Sequence, residues 1–449
     1  MRLTRDLAAF CAALRFEDVP PEALAFIRIG FTDCVATLAA GRYDPITQAL
    51  REVVSPAPGP CDLLLGLGTA SPGDAALLNA TAAHALDFDD AAQKGHLSAA
   101  QVPAILAEAA LRGSTGRQMA TAYAAGYEAW AELIRREPDH YHNASWHPTG
   151  VFGPIAVAAA CASLRGLDAE RTAHALAIAA SQSAGLIASF GTMTKPFHAG
   201  RAAQAGLMAA RLAEIGFTGS LEALEHPKGL MRGISPKGRV DLTSPVEAGH
   251  VWKLPSGGLN VKKYPLCFAA HRSLDGMLDL LARHPIEPAE VDRIVVTISR
   301  RNKSTLRYEN PRTALEAKFS MHFAMASALL AGRVGLPELD DSFLQRDDVQ
   351  AMMRRVEVLP EDREDLTRPG EAPEDVVLIE TLDGRRFSQA VDYVRGGPEK
   401  PLLPGELFSK FQACLAAGGL RVDARPLFDA LSTIDHQEGT AELYRLATA

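Results

Sequence analysis

At 449 residues the chain is long enough for two or three domains with sizeable cores. Its composition is 47% hydrophobic and 22% charged, and the net charge of −8 provides no global field to attract nucleic acid or an anionic membrane. No nucleic-acid or membrane partner is therefore expected, and any anion site must be local. The six cysteines (Cys11, Cys34, Cys61, Cys161, Cys267, Cys414) form no CxxC pair. That pattern fits buried thiols in a reducing compartment and excludes a structural zinc site or a disulfide framework.

The start, Met1-Arg2-Leu3-Thr4-Arg5-Asp6 followed by Leu7–Leu14, has the outline of a signal peptide. Asp6 interrupts the basic region, however, and Arg15-Phe16-Glu17-Asp18 follows with no small-residue cleavage site. The segment reads as an amphipathic first helix. No apolar run is expected to reach membrane-spanning length: Phe152–Leu164 is the longest candidate, and it carries Pro154. The expected location is cytoplasmic.

From residue 1 to about 250 the sequence reads as helix after helix. Pro20-Pro21 opens a helix running to about Ala40, and apolar periodicity places others at 45–54, 73–87, 100–112, 116–134, 150–164, 168–183, 196–215 and 219–225. Gly166 and Gly216 mark helix ends, and Asp168 and Ser220 suit N-caps. After Gly257-Gly258 the character changes. Val291–Ser299 alternates as a strand, Val356–Leu359 is a shorter one, and Val376–Leu382, Asp383-Gly384, Arg385–Val391 spells a hairpin with a type I′ turn. Helices at 267–283, 316–331 and 404–415 accompany them. The layout predicts a mainly α chain, with a large all-α domain from 1–254 and 396–449 and a smaller α+β domain over 255–395.

Ala83-His84-Ala85-Leu86-Asp87-Phe88-Asp89-Asp90 ends an Ala-rich helical run with three carboxylates and a histidine. Such charge beside buried turns is costly unless it has partners or a task, and carboxylates are repelled by a helix C-terminus. If the helix continues, His84, Asp87 and Asp90 share a face and Asp89 points away. The plain alternative is a polar helix end entering a loop.

Three further segments share one design. Trp146-His147-Pro148-Thr149-Gly150, Thr194-Lys195-Pro196-Phe197-His198 and Lys262-Lys263-Tyr264-Pro265 each place proline where a first helical turn could begin. A cation at a helix N-terminus is unfavourable for the helix, but it makes sense where a carboxylate or phosphate comes to rest. The alternative is that each side chain reaches solvent or pairs with an acid. His198 follows Lys195 on one helix face, with Arg201 a turn onward, and His96 lies in Lys94-Gly95-His96-Leu97-Ser98. Together these groups offer what proton abstraction beside a carboxylate needs, a base and positive charge to hold the enediolate.

With His84–Asp90, Gly95-His96, His147-Pro148, Gly191-Thr192-Met193-Thr194-Lys195-Pro196 and Lys262-Lys263-Tyr264-Pro265 in that order, and Glu316-Ala317-Lys318-Phe319-Ser320 also present, the chain resembles the MmgE/PrpD family over nearly its whole length. That family includes 2-methylcitrate dehydratases, cis-aconitate decarboxylases and iminodisuccinate epimerases. The resemblance implies a helical domain with an α+β lid, an active site between them, a homodimer and no cofactor. Asp87, His96, His147, Lys195 and Lys262 match family active-site positions, and Tyr141 is similar to a proton-carrying tyrosine of the epimerase branch. His198, Arg201, Lys263 and His271 are the expected substrate-binding residues. Where the decarboxylase branch has tyrosine this chain has Phe323, and Cys267 replaces a histidine of that branch, with His271 a turn onward. The Gly-Thr-Met-Thr-Lys-Pro wording looks closer to the epimerase-like branch.

Other readings fit less well. Asp87-Phe88-Asp89-Asp90 also spells the DxDD acid motif of terpene cyclases, but an aromatic content of 6% is poor for a carbocation cavity. A metal on His84, Asp87, Asp90 and His96 would be opposed by the lysines, so no metal is expected. Gly66-Leu67-Gly68-Thr69-Ala70 lacks the lysine of a nucleotide loop. The expected function is a cofactor-independent lyase or isomerase that abstracts the α-proton of a small di- or tricarboxylate, by epimerisation or dehydration. The alternatives are a decarboxylase of a cis-aconitate-like acid and a non-catalytic scaffold.

Overall fold

The computed structural model describes residues 2–448 except 367 and 369. The chain divides into two compact units, residues 1–260 with 403–449, and residues 261–402.

The first unit is helical. In chain order it holds α1 (Leu3–Ala13), α2 (Pro21–Gly41), α3 (Pro45–Val54), the short antiparallel pair β1 (Cys61–Asp62) and β2 (Thr69–Ala70), then α4 (Pro72–His84), α5 (Leu97–Arg112), α6 (Gly116–Arg135), α7 (Pro148–Leu164), α8 (Ala169–Ala180) and α9 (Thr194–Glu214). Short helices α10 (Leu230–Ile234) and α11 (Lys253–Gly257) follow. The second unit contains α12 (His271–Arg283), β3 (Val291–Ser299), α13 (Arg300–Thr305), α14 (Ala314–Ala317), α15 (Met321–Ala331), α16 (Asp341–Leu344), α17 (Asp347–Met353), β4 (Val356–Glu361), β5 (Asp375–Thr381) and β6 (Arg386–Val391). The chain then returns to the first unit as α18 (Pro404–Ala417), α19 (Ala424–Ser432) and α20 (Ala441–Thr448). The fold is mainly α with a smaller α+β part.

Helix α7 is the axis of the first unit, buried along nearly its whole length and packed on α5, α6, α8 and α9. Glycine and alanine set how closely these helices cross. A Cβ on Gly206 of α9 would lie 2.4 Å from the Pro154 carbonyl oxygen, and one on Gly126 of α6 would lie 2.7 Å from that of Ala156. Pro154 has no N–H, which frees the Gly150 carbonyl one turn earlier, and that carbonyl accepts the Ala184 N–H at 3.2 Å instead. Ser183 Oγ donates to the Val151 carbonyl at 2.6 Å and the His147 N–H donates to Gly185 at 3.0 Å. The segment after α8 is thus docked on the first turn of α7. Gly150 is required at this contact, because a Cβ there would lie 2.1 Å from the Ala184 oxygen.

In the second unit the four strands lie in the order β4-β3-β5-β6, with β3 parallel to β4 and antiparallel to β5, and β5 antiparallel to β6. Ile294 pairs with both Val356 and Ile379, and Ile379 with Phe387. Period-two burial puts Ile294, Val296, Ile298, Val377 and Ile379 in one core with Leu274, Met277 and Leu280 of α12 and Phe323 and Met325 of α15.

Several expectations are corrected. Residues 219–225 form turns, with the Leu224 N–H bonded to Thr4 Oγ1 at 3.1 Å. The helix expected from 267 starts at His271, after a 3₁₀ turn at Phe268–Ala270. The one expected over 316–331 is broken because Ser320 caps a new helix, its Oγ accepting the Phe323 N–H at 3.1 Å. In the hairpin only Gly384 has positive φ (86°), and its N–H bonds the Thr381 carbonyl at 2.8 Å, so the turn is not type I′. Helix α2 does reach membrane-spanning length and apolarity, with 72% of that window buried inside the protein, the position of a core helix. Cys11, Cys34, Cys61, Cys161 and Cys414 are buried free thiols.

The tight α7–α9 crossing gives a stability prediction. Gly206→Ala should destabilise the protein by about 1–3 kcal/mol through overpacking. Urea denaturation measures this, and an unchanged midpoint would contradict the close approach.

Candidate active site

Helix α4 ends at His84, and the chain turns with Asp87 in the left-handed region at φ 52°. Asp tolerates that conformation better than most residues. The turn folds the acidic run back beneath the helix end. From Ala92 to Gly95 the chain makes a tight reversal with Gln93 and Lys94 at φ 48° and 66°, closed by hydrogen bonds of 2.8 and 2.9 Å between Ala92 and Gly95. Trp130 Nε1 donates to the Gln93 carbonyl at 2.9 Å, and Thr149 Oγ1 accepts the His96 N–H at 3.1 Å. His96 then occupies the N-cap position of α5, His147 that of α7 just before Pro148, and Lys195 lies in the first turn of α9.

These elements build one charged chain of side chains. Lys195 Nζ lies 2.9 Å from Asp87 Oδ1 and 3.0 Å from His84 Nε2, and 5.4 Å from the centre of the Phe190 ring. His84 Nδ1 is 2.8 Å from Asp89 Oδ1, and His96 Nδ1 is 2.9 Å from Asp89 Oδ2. A carboxylate can only accept, so both imidazoles carry hydrogen on Nδ1, which leaves His84 Nε2 as the acceptor for the lysine. His96 Nε2 sits 3.5 Å from Asp87 Oδ1. The His84 and His96 rings are 4.2 Å apart, with His147 at 6.2 and 6.4 Å from them, and Phe190 meets the His147 ring edge to face at 5.0 Å.

Burial decides the charge states. Burial, opposed by Asp89 and reinforced by Lys195, pushes the His84 pKa down to about 3. Burial and then Lys195 hold His147 well below its usual value and bring His198 to about 4. Burial alone would raise Asp89, but His84 and His96 outweigh it and hold this carboxyl well below the ordinary range. The centre therefore contains ionised Asp89 and neutral His84, His147 and His198. Asp89 fixes two imidazole tautomers, as carboxylates do behind catalytic histidines.

A second layer supports the first. Lys410 of α18 lies 2.6 Å from Asp33 Oδ1, donates to the Phe88 carbonyl at 2.8 Å and stands 4.1 Å from the Phe88 ring centre. Burial and then Asp33 push Asp90 well above the usual carboxyl range, so it is protonated.

The structure brings Asp87, His96, His147, Lys195 and His198 together. The His147 and His198 Nδ1 atoms are 3.0 Å apart. Tyr141 is fully buried against Phe152 (4.9 Å between rings), and its hydroxyl has no hydrogen-bond partner among the described residues. Arg201 is exposed and pairs with Gln204. Lys262, Lys263 and His271 belong to the second unit, where Lys262 is buried and His271 packs on Tyr264 at 5.2 Å.

Some geometric expectations fail. Asp89 does not face away but joins the two histidines, and Asp90 leaves the face of His84 and Asp87, because the helix stops at His84 and its periodicity no longer applies. Lys195 has Asp87 and His84 as partners, the alternative given for a cation at a helix start. Pro265 opens no helix, since α12 begins six residues later. Phe323 is buried in the second unit's core, edge to face with Phe343 at 6.3 Å. Asp33 and Lys410 are absent from the sequence expectations, whereas Asp89 is named there but turned away. A buried aspartate in the apolar helix α2 was the one local signal available for Asp33.

His84, Asp87, Asp89 and His96 offer ligand atoms within 4.8 Å of one another. They fit a metal poorly, because both Asp89 oxygens are used by imidazole N–H groups and the Lys195 ammonium occupies the cationic place on Asp87 and His84.

A buried lysine held between a carboxylate and an imidazole, beside neutral histidines, is the charged centre of the first unit. The chain belongs to the MmgE/PrpD family: the N-terminal domain model matches residues 5–243 and the C-terminal domain model residues 264–425. It is similar to cis-aconitate decarboxylase of Mus musculus (27% identity, covering 84% of this chain and 78% of the relative) and of Homo sapiens (29%, 76% and 72%). It is also similar to cis-aconitate decarboxylase of Aspergillus terreus (24%, 94% and 91%). Family and relatives make it an enzyme of the MmgE/PrpD lyase family.

Two predictions follow from the charge states. The histidine pKa values are depressed on folding, so the unfolded chain binds more protons below about 6.5, and stability falls as pH drops from there toward the folded values. The urea midpoint should be lower at about pH 5 than at about pH 7.5, with a smaller drop in His147→Gln; a flat profile would contradict buried neutral imidazoles. Lys410→Met should cost about 3–5 kcal/mol by leaving Asp33 unpaired. The double variant Asp33→Asn/Lys410→Met should recover most of that loss in the same denaturation assay.

Proposed function

We propose that this chain is a cofactor-independent enzyme that transfers a proton at the carbon next to a carboxylate in a small di- or tricarboxylate. The observation that carries the reading is the buried Lys195–Asp87–His84–Asp89–His96 chain beside neutral His147. His147 makes its described side-chain hydrogen bond through Nδ1, so Nε2 is the atom with which it takes or returns the substrate proton. The electron pair left on carbon enters an enediolate, which the Lys195 ammonium and the positive ends of α7 and α9 stabilise. The reading includes a homodimer in solution, which light scattering tests.

Decarboxylation of a cis-aconitate-like acid is the first reaction to examine, because the three relatives carry that name. Loss of CO₂ leaves its electron pair on carbon, where His147 Nε2–H delivers a proton. Phe323 does not argue against this chemistry, since its side chain fills a core. Epimerisation or dehydration is the second reading and rests on the Gly191–Pro196 wording.

The test is to incubate the enzyme with cis-aconitate and a panel of di- and tricarboxylates in D₂O, following CO₂ release and deuterium entry by NMR. Turnover or exchange with at least one acid is expected, unaffected by EDTA. Lys195→Met should lower it at least about 100-fold while circular dichroism stays that of the folded protein. No turnover across the panel would sink the reading, and loss on EDTA restored by a divalent metal would replace it with a metal mechanism.

A further inference from the structure

We propose that His198 is a positioning residue that sets which ring nitrogen of His147 carries the proton, so that the two imidazoles act as a single acid–base unit. This rests on the proton-transfer reading above and reassigns His198, expected from sequence to hold a substrate carboxylate.

The two Nδ1 atoms are 3.0 Å apart, a distance that requires one to donate and the other to accept. Only one hydrogen fits between them. When His198 donates, His147 has a bare Nδ1 and carries its hydrogen on Nε2, the form that gives a proton to substrate. When His147 donates, its Nε2 is bare, the form that takes one. Neither ring makes another side-chain hydrogen bond among the described residues, so the partner ring is the group that selects between these forms.

The surroundings hold the pair in register. The His147 N–H is spent on the Gly185 carbonyl, and its ring is fixed edge-on by Phe190. His198 lies one turn beyond Lys195 on α9, and Gly185 (φ 138°) leaves room for its ring, since a Cβ there would sit 3.3 Å from His198 Nδ1. The titratable groups around the pair are Lys195 from α9, His84 from α4 and His96 at the start of α5. His147 is 2% exposed and His198 9%, so the outer ring is the better placed of the two for charge.

The proton balance closes. In abstraction, His147 Nε2 takes the substrate proton and the C–H electron pair stays in the enediolate. The hydrogen on His147 Nδ1 crosses to His198 Nδ1, leaving His147 neutral and His198 as imidazolium. Return of the proton reverses each move.

The test compares the wild type with His198→Phe, which removes the partner, and His198→Asn, whose amide can still meet Nδ1. In His198→Phe, kcat should fall about 10- to 100-fold with KM little changed, and the pH dependence of kcat should move. His198→Asn should recover only part of kcat, because its amide restores the hydrogen bond to His147 Nδ1 but cannot take up the proton. A rise in KM alone would return His198 to a substrate-binding role, and unchanged kcat and pH profile would overturn the proposal. A second arm needs no substrate. The ¹⁵N shifts of the His147 ring should differ between wild type and His198→Phe, reporting a changed tautomer; identical shifts would overturn the pairing. If no carboxylate is turned over yet the shifts differ, the function reading fails and the His198–His147 coupling stands.

Discussion

Lys195 is a cation in the interior of a helical bundle, and the centre is organised around making that tolerable. An ammonium without partners in such a place is very expensive. Here Asp87 supplies the counter-charge and His84 a lone pair, and His84 can supply it only because Asp89 holds its hydrogen on the far nitrogen. Four residues are therefore one electrostatic object: changing the protonation of any member alters what the others can donate or accept.

The backbone around this object is specialised to match. Asp87 can reach the lysine because the chain leaves α4 through a left-handed residue. The His96 ring arrives from a reversal with two non-glycine residues at positive φ, held by Trp130 and Thr149. Such conformations persist where neighbours over-determine them. Proline inside α7 frees a carbonyl that docks the segment after α8, so a local defect in one helix becomes an anchor for another segment.

What the sequence disclosed follows the range of each signal. His147 and Lys195 were legible because a proline at a helix start and a cation beside it are neighbours in the chain. The strands of the second unit were legible because alternation is local, and the hydrophobic spacing of α5, α6 and α7 located them to within a few residues. Asp89 was misplaced because helical geometry was extended past His84, and the turn at Asp87 has no composition signal in an alanine-rich run. Lys410 was invisible for another reason: its partners Asp33 and Phe88 lie more than three hundred residues away, and within α18 it reads only as an ordinary helix lysine. The lysine pair at 262–263 looked like a helix entrance because Pro265 follows it, yet Cys267 bonds to Lys318 and delays α12 to His271.

The neutral imidazoles have a thermodynamic consequence. His147 and His198 are uncharged because burial and the nearby lysine make protonation unfavourable. If the proposed carboxylate substrate binds beside them, it supplies the opposing field and raises their affinity for protons. On that proposal, occupancy of the site would be coupled to proton uptake from solvent, and the heat of association would contain the ionisation enthalpy of the surrounding buffer.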